Sequence, residues 1–293
     1  MRKIRFFGRT KFLAAAIALF ILLGCSSKQP PTLTQPLTTQ QPSLLALSLK
    51  AQPVTSIHLL LGNPSNATEN VANADNYLMI KPQYALSYNN SKGIPNWVSW
   101  QLNQSWLGSV DRQNNFRPDA TLPVGFIRIT PTLYTGSGYD KGHVAPSADR
   151  TTSVEDNSST FLMTNMMPQT PDNNRRTWEG LEQYSRELVT KEGKEIYIIA
   201  GGIGSQKQPL KGKVTIPVST WKVVVVMDKA GADVSSVTEN TRIIAVNIPN
   251  EQGISPDWRT YQVSVNELEK LTGYDFLSNI DPTIQKVIES KVN

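Results

Sequence analysis

One cysteine and two histidines are all that 293 residues hold of the side chains used for thiol and zinc chemistry. A single Cys25 has no partner for an internal disulfide, even in an oxidising compartment. His58 and His143, with no second cysteine, cannot build a Cys/His zinc cluster. Charge is scarce too, at 18% of residues. The excess of 29 Lys+Arg over 24 Asp+Glu vanishes once residues 1–24 are set apart. That stretch carries Arg2, Lys3, Arg5, Arg9 and Lys11 and no acid, so the rest of the chain is balanced at 24 against 24. The basic pI of about 9.2 therefore belongs to the leader. A general basic footprint for nucleic acid is lacking, and any polyanion must be met by local clusters. Also missing are a Gly-rich phosphate loop and a G-x-S-x-G serine elbow.

The leader is a processing signal. Its basic residues precede Phe12 to Leu23, an apolar run shorter than the roughly 18–20 residues a spanning helix needs. Leu22-Leu23-Gly24-Cys25 ends it and resembles a bacterial lipobox, in which the cysteine becomes the lipid-modified first residue. A plain signal peptide or an uncleaved anchor is the alternative. Residues 25–53 are rich in Pro, Thr, Gln and Ser and read as a flexible tether. Residues 54–293 are within the range of one domain with a sizeable core.

Within that domain, Ser56 to Leu61, Tyr77 to Ile80, Tyr84 to Tyr88 and Trp97 to Leu102 have the composition of strands, bounded by Gly, Asn and Pro. Lys194 to Ala200, Trp221 to Met227 and Arg242 to Val246 are β-branched runs of the buried-strand type. Helical patterns cover about residues 172–191, Val265 to Leu271 and Pro282 to Ser290, the last with Asp281 as cap and Pro282 in the first turn. Strands and helices without regular alternation predict an α+β domain.

Two stretches carry chemistry. In Tyr139-Asp140-Lys141-Gly142-His143, a glycine allows a tight turn beside an imidazole flanked by opposite charges. This reads as a loop-to-element junction presenting His143 to solvent, a placement that suits a general base. A hydrogen-bonded structural histidine fits the stretch equally. His58, set in an apolar run, reads as structural. The second stretch starts a helix at Thr170-Pro171 and places Asn174, Trp178, Glu182 and Arg186 four residues apart. Four-residue steps drift only about 40° on a 3.6-residue helix, so these side chains share a ridge, while Trp178, Leu181 and Leu188 supply an apolar stripe. A solvated helix face has the same spacing.

Together the stretches suggest more than either alone. His143 supplies a base, Asn174 a hard oxygen ligand for Mg²⁺, and Glu182 a partner for the metal's waters. Arg112, Arg186 and Lys141 match the charge of a phosphate transition state. The chemistry left is metal-assisted phosphodiester hydrolysis.

At these residues the chain resembles the DNA/RNA non-specific endonucleases of the ββα-metal fold, and most of all their secreted, sugar-non-specific bacterial branch. The resemblance rests on Asp140-Lys141-Gly142-His143, on Asn165-Met166-Met167-Pro168-Gln169, and on Asn174 with Trp178, Leu181 and Glu182. It implies an α+β fold with a central antiparallel sheet, flanking helices and a ββα-metal motif at the active site. It implies His143 as general base, Asn174 as the direct protein ligand of Mg²⁺ or Mn²⁺, and Glu182 as holder of the metal's water shell. Arg112 matches the arginine on the scissile phosphate and Arg186 a second phosphate-facing arginine. The implied reaction cuts DNA and RNA to 5′-phosphate and 3′-hydroxyl ends. Lys141 departs from the family's usual arginine. A proteinaceous inhibitor, known for some relatives, is a further implied partner.

The resulting expectation is an exported nuclease, lipid-anchored to a membrane through Cys25 or extracellular or periplasmic. Its alternative is a non-catalytic nucleic-acid-binding lipoprotein with a degenerate nuclease fold. The lipobox is tested by Cys25→Ser, which should abolish incorporation of labelled fatty acid and free the protein from membranes. Label still entering Cys25→Ser would sink the lipobox.

Overall fold

The structure, a computed structural model, describes residues 56–292. The leader, the lipobox and the tether lie outside the described residues. Eight strands and four α-helices form, in chain order, β1 (Tyr77–Ile80), β2 (Ala85–Asn89), β3 (Ile94–Leu102), β4 (Asp140–His143), α1 (Val154–Ser159), β5 (Met166–Gln169), α2 (Glu179–Glu192), β6 (Glu195–Ile203), β7 (Ser219–Met227), β8 (Arg242–Pro249), α3 (Val265–Thr272) and α4 (Pro282–Ile288). Six strands make one antiparallel sheet in the order β1-β2-β3-β6-β7-β8, and β4 pairs with β5 in a separate ribbon. The α+β class and the antiparallel centre agree with the sequence.

Both faces of the large sheet are covered, which is why β6, β7 and β8 read as continuous apolar runs. Side chains alternate between the faces with the period of two that a strand dictates. Trp100, Ile198, Val224 and Ile244 enter one core with Leu181, Leu188 and Val189 of α2 and with Met166 and Met167 of β5. Trp97, Ile199, Val223 and Ile243 enter the other, with Val265 and Leu268 of α3 and Ile288 of α4. The β4–β5 ribbon and α2 thus share one face of the sheet, and helices α3 and α4 brace the other.

The helix ends follow local sequence chemistry. The Thr170 hydroxyl accepts from the Asn173 N–H, and Asp281 accepts from the Thr283 N–H with Pro282 in the first turn. One departure lies inside the first helix, where Asn173–Trp178 forms a π-helical segment before α2 begins. The expected ridge therefore breaks, since a π turn is wider than 3.6 residues. Asn174, Glu182 and Arg186 remain on a shared cleft, while Trp178 is buried in the core.

Two further expectations are corrected. Ser56 to Leu61 forms a 3₁₀ turn, Ile57–Leu59, and not a strand, because the Ser56 hydroxyl caps the His58 N–H and starts a helical turn. The run around His143 contains a true strand, β4, although its residues are polar. It is only four residues long and pairs on one side with β5, and its two buried residues are Gly142 and His143, so it shows no apolar alternation.

His58 has the structural role its surroundings suggest. Its Nδ1 accepts from the Gln101 N–H at 3.2 Å, which leaves Nε2 to donate to the Pro82 carbonyl at 2.8 Å. Only the neutral ring satisfies both bonds. Burial, aided by the Arg150 charge, lowers its pKa from 6.5 to about 4. The unfolded chain binds this proton first, so the stability contributed is complete above pH 6.5 and is lost as pH falls toward 4. The melting temperature should therefore decline across that window. His58→Gln, which cannot titrate, should melt lower at neutral pH and show a shallower decline; an unchanged slope would refute the assignment.

Candidate active site

The ribbon brings its two strands unusually close. A Cβ built on Gly142 would lie 1.7 Å from Oε1 of Gln169, so a glycine is required beside this buried amide. Gln169 in turn donates to Asn173 Oδ1 at 2.7 Å, and Asn173 donates to Thr220 of β7 at 2.9 Å. Asn165 clasps the chain just beyond His143, accepting from the Ala145 N–H at 2.9 Å and donating to the Ala145 carbonyl at 2.8 Å. The segment Asn165 to Gln169 thus joins β4, the π-helical segment and the sheet into one frame.

On this frame Arg112, Lys141, His143, Asn174, Glu182 and Arg186 all line one cleft of about 240 Å³, together with Ser147, Arg175 and Glu179. Every site residue picked out in the domain sequence is there. Arg112 is held by Nη1 donating to Ser147 Oγ at 2.6 Å and Nε donating to Asn114 Oδ1 at 2.8 Å, with its guanidinium 4.9 Å from the Phe161 ring centre. The Lys141 ammonium lies 4.7 Å from the centre of the Phe116 ring.

His143 is not presented to solvent as expected. It is 8% exposed, with Phe161 packed edge-on at 4.8 Å and Phe116 at 5.5 Å. Its Nε2 is buried and has no hydrogen-bond partner within the protein. Burial first, then the Arg112 and Lys141 charges, lower its pKa from 6.5 to about 3. The ring is therefore neutral at ordinary pH, and its Nε2 is left without a protein partner.

Asn174 is oriented by Asp140, a residue given no role by sequence reasoning. Its Nδ2 donates to Asp140 Oδ2 at 2.9 Å, and only the amide nitrogen can face a carboxylate in this way. Arg175 grips the same carboxylate with Nε at 2.8 Å and Nη2 at 2.6 Å. Burial would raise the Asp140 pKa, but the bonds from Arg175 and Asn174 outweigh it and hold the carboxyl ionised below its ordinary value. The Asn174 carbonyl oxygen is left without a protein partner, an atom that could hold a cation. With the Glu182 carboxylate on the same cleft, the donor set is oxygen only, which fits a hard divalent cation keeping several waters.

Glu182 and Arg186 have partners below the cleft. Arg186 Nη1 donates to Asp149 Oδ1 at 2.9 Å, and the Trp100 indole donates to Asp149 Oδ2 at 2.9 Å. Glu182 Oε1 lies 3.7 Å from the ammonium of Lys222, a side chain only 1% exposed. Burial raises the Glu182 pKa to about 7, and the Lys222 charge opposes the rise. Sequence reasoning missed Lys222 along with Asp140. The signal was a lysine inside an otherwise apolar strand.

Comparisons with known proteins agree with this geometry. A family profile described as DNA/RNA non-specific endonuclease matches residues 61–283. A protein called Nuclease from Nostoc sp. is 61% identical over 281 residues, covering 96% of this chain and 97% of its own length. The human protein called Nuclease EXOG, mitochondrial, is 33% identical over 216 residues, covering 68% of this chain and 56% of its own. Among solved structures, the EndoG/EndoGI complex contains a chain that superposes with a TM-score of 0.64 at 26% identity, covering 80% of this chain and 96% of that one. A fold, a cleft and a sequence that agree over most of the chain place this protein in the family of DNA/RNA non-specific endonucleases.

Proposed function

We propose that this endonuclease uses Mg²⁺ or Mn²⁺ held by Asn174, with His143 as general base, and leaves 5′-phosphate and 3′-hydroxyl ends. The observation that carries this reading is the convergence on one cleft of a buried neutral imidazole with a free nitrogen and an amide whose oxygen is turned free by Asp140. Asn174 would hold such a cation, which when bound would supply charge neutralisation for the phosphate and its departing oxygen. The His143 ring takes a proton from the attacking water as that water's oxygen bonds to phosphorus and the P–O3′ bond breaks, and the departing 3′ oxygen takes a proton from solvent water. Glu182 orients the water shell. Arg112 and Lys141 receive the scissile phosphate, and Arg186 completes the positive wall from its bond to Asp149. Contacts aimed at phosphates carry no sequence information, which suits cleavage indifferent to base and sugar. The non-catalytic alternative gives no reason for an unsatisfied buried imidazole nitrogen among these charges.

The same proposal extends to place and partners: export under the leader, a lipid on Cys25 holding the domain at a membrane, and DNA and RNA as substrates outside the cytoplasm. A protein inhibitor blocking the cleft is an expected further partner.

His143→Ala should cut turnover by about 10²–10⁴, the usual contribution of a general base, while affinity for DNA stays unchanged. Plasmid and RNA cleavage assays alongside a DNA-binding titration check this, and near-native cleavage would remove His143 from the mechanism. Asn174→Ala should stay folded and lose activity at ordinary Mg²⁺ concentration. Calorimetry should then find Mn²⁺ binding weakened, and an unchanged affinity would refute the ligand role.

A further inference from the structure

Lys222 is the fourth residue of β7, and its strand neighbours Trp221, Val223, Val224, Val225 and Val226 are all buried and apolar. The period of two puts it on the same face as Val224 and Val226, beneath α2. Its ammonium rests 3.9 Å from the centre of the Trp178 ring and 5.9 Å from that of Trp100. No acceptor lies within hydrogen-bond distance of it, and its ion-pair partner is Glu182 Oε1 at 3.7 Å. Such a buried cation is costly, and a hydrophobic residue of similar volume often serves stability as well or better. Stability alone gives no reason for a lysine here.

We infer that Lys222 is a positioning residue for the nuclease reaction, fixing the charge and direction of the Glu182 carboxylate from behind while its front faces the cleft. This rests on the proposed role of Glu182. The groups that face Glu182 are Lys222 from β7, Asp149 from the loop after β4, Glu179 and Arg186 from its own helix, and Arg112 from the loop after β3. Arg186 is already bonded to Asp149, and Arg112 to Ser147 and Asn114. Of these three cations, Lys222 is the one with no hydrogen bond to another side chain. Two cations and two carboxylates, Lys222 with Glu182 and Arg186 with Asp149, leave the buried cluster neutral. Removing Lys222 leaves a carboxylate in excess, and Glu182 answers by binding a proton at higher pH.

The test uses Lys222→Met, Lys222→Arg, Glu182→Gln and the double variant Lys222→Met/Glu182→Gln. Lys222→Met is expected to fold and melt near the native temperature, yet cleave DNA about tenfold more slowly at pH 7. The acid limb of its kcat/KM profile should move up by about one pH unit, the same tenfold factor, with recovery toward pH 9. Lys222→Arg should recover part of the rate. The double variant should be no slower than Glu182→Gln alone, since the lysine acts through the glutamate. Metal-free protein gives a second readout. A carboxyl whose folded pKa is raised loses stability as pH climbs from its unfolded to its folded value. The melting temperature of Lys222→Met should therefore keep falling between pH 7 and 9 relative to the native protein, and adding Glu182→Gln should remove that fall. An unmoved acid limb, or rate losses that add in the double variant, would overturn the inference while leaving Glu182 in place. Native activity in Glu182→Gln would overturn both roles. If Lys222→Met does not fold, Lys222→Gln is read in the same way, and loss of fold in both would assign Lys222 to the core alone.

Discussion

The site depends on the Asp140 carboxylate. One residue at the start of β4 receives Asn174 and both nitrogens of one edge of Arg175, and so locks the strand that carries His143 to the turn that carries Asn174. Charge-assisted bonds of this kind are about twice as strong as neutral ones, but Arg175 is largely exposed, so the arrangement adds little to global stability. Its effect is directional. An asparagine amide can turn either end to a cleft, and one end must be committed elsewhere before the other is a dependable oxygen ligand. With Asp140 replaced by a neutral side chain, that commitment would be lost although the ligand itself remained.

A frame made for such alignment has to resist relaxation, and the fold supplies this by covering the sheet on both sides. The π-helical segment sits between the ribbon and β7, tied by Asn173 to Thr220 and to the Pro249 carbonyl, while α2 lies on the same core as Trp100 and Val224. π turns inside helices recur at functional sites because they re-aim side chains without ending the helix. Here the wider turn lets Asn174 reach the cleft with Glu182 while Trp178 drops into the core to form the floor beneath Lys222. The same backbone irregularity thus serves the ligand amide above and the buried charge cluster below.

Much of this was legible from residue patterns. Strand runs such as Trp221 to Met227, the caps at Thr170 and Asp281, and the cleft residues Arg112, Lys141, His143, Asn174, Glu182 and Arg186 were all readable before any coordinates. What escaped has common physical causes. The strand β4 is four residues long and its buried pair is Gly142 and His143, so without apolar alternation it reads as a loop. The π segment depends on bonds to residues far along the chain, Thr220 and Pro249, which a local helical period cannot anticipate. Exposure of His143 was misjudged because its cover comes from Phe116 and Phe161, remote in sequence on either side. Lys222 was hidden by the opposite effect: the apolar run around it identified the strand so clearly that the one charged residue passed as incidental.

The depressed basicity of His143 belongs to the free enzyme and points to how the charges cooperate. With its pKa near 3, the ring is neutral at working pH but a poor acceptor, because burial and the two nearby cations oppose a third positive charge. A phosphodiester entering the cleft carries the negative charge that Arg112 and Lys141 lack. Pairing with them would offset their share of the depression, while burial, the larger cause, would remain. The lysine at position 141 sets a compact ammonium over Phe116, which exerts its positive charge on His143 without the two-pronged grip of a guanidinium. The influence of Arg112 and Lys141 on His143 is one of charge at short range and not of hydrogen-bond geometry. The geometric demands fall instead on Asn174 and Glu182, the side chains that the structure anchors from behind.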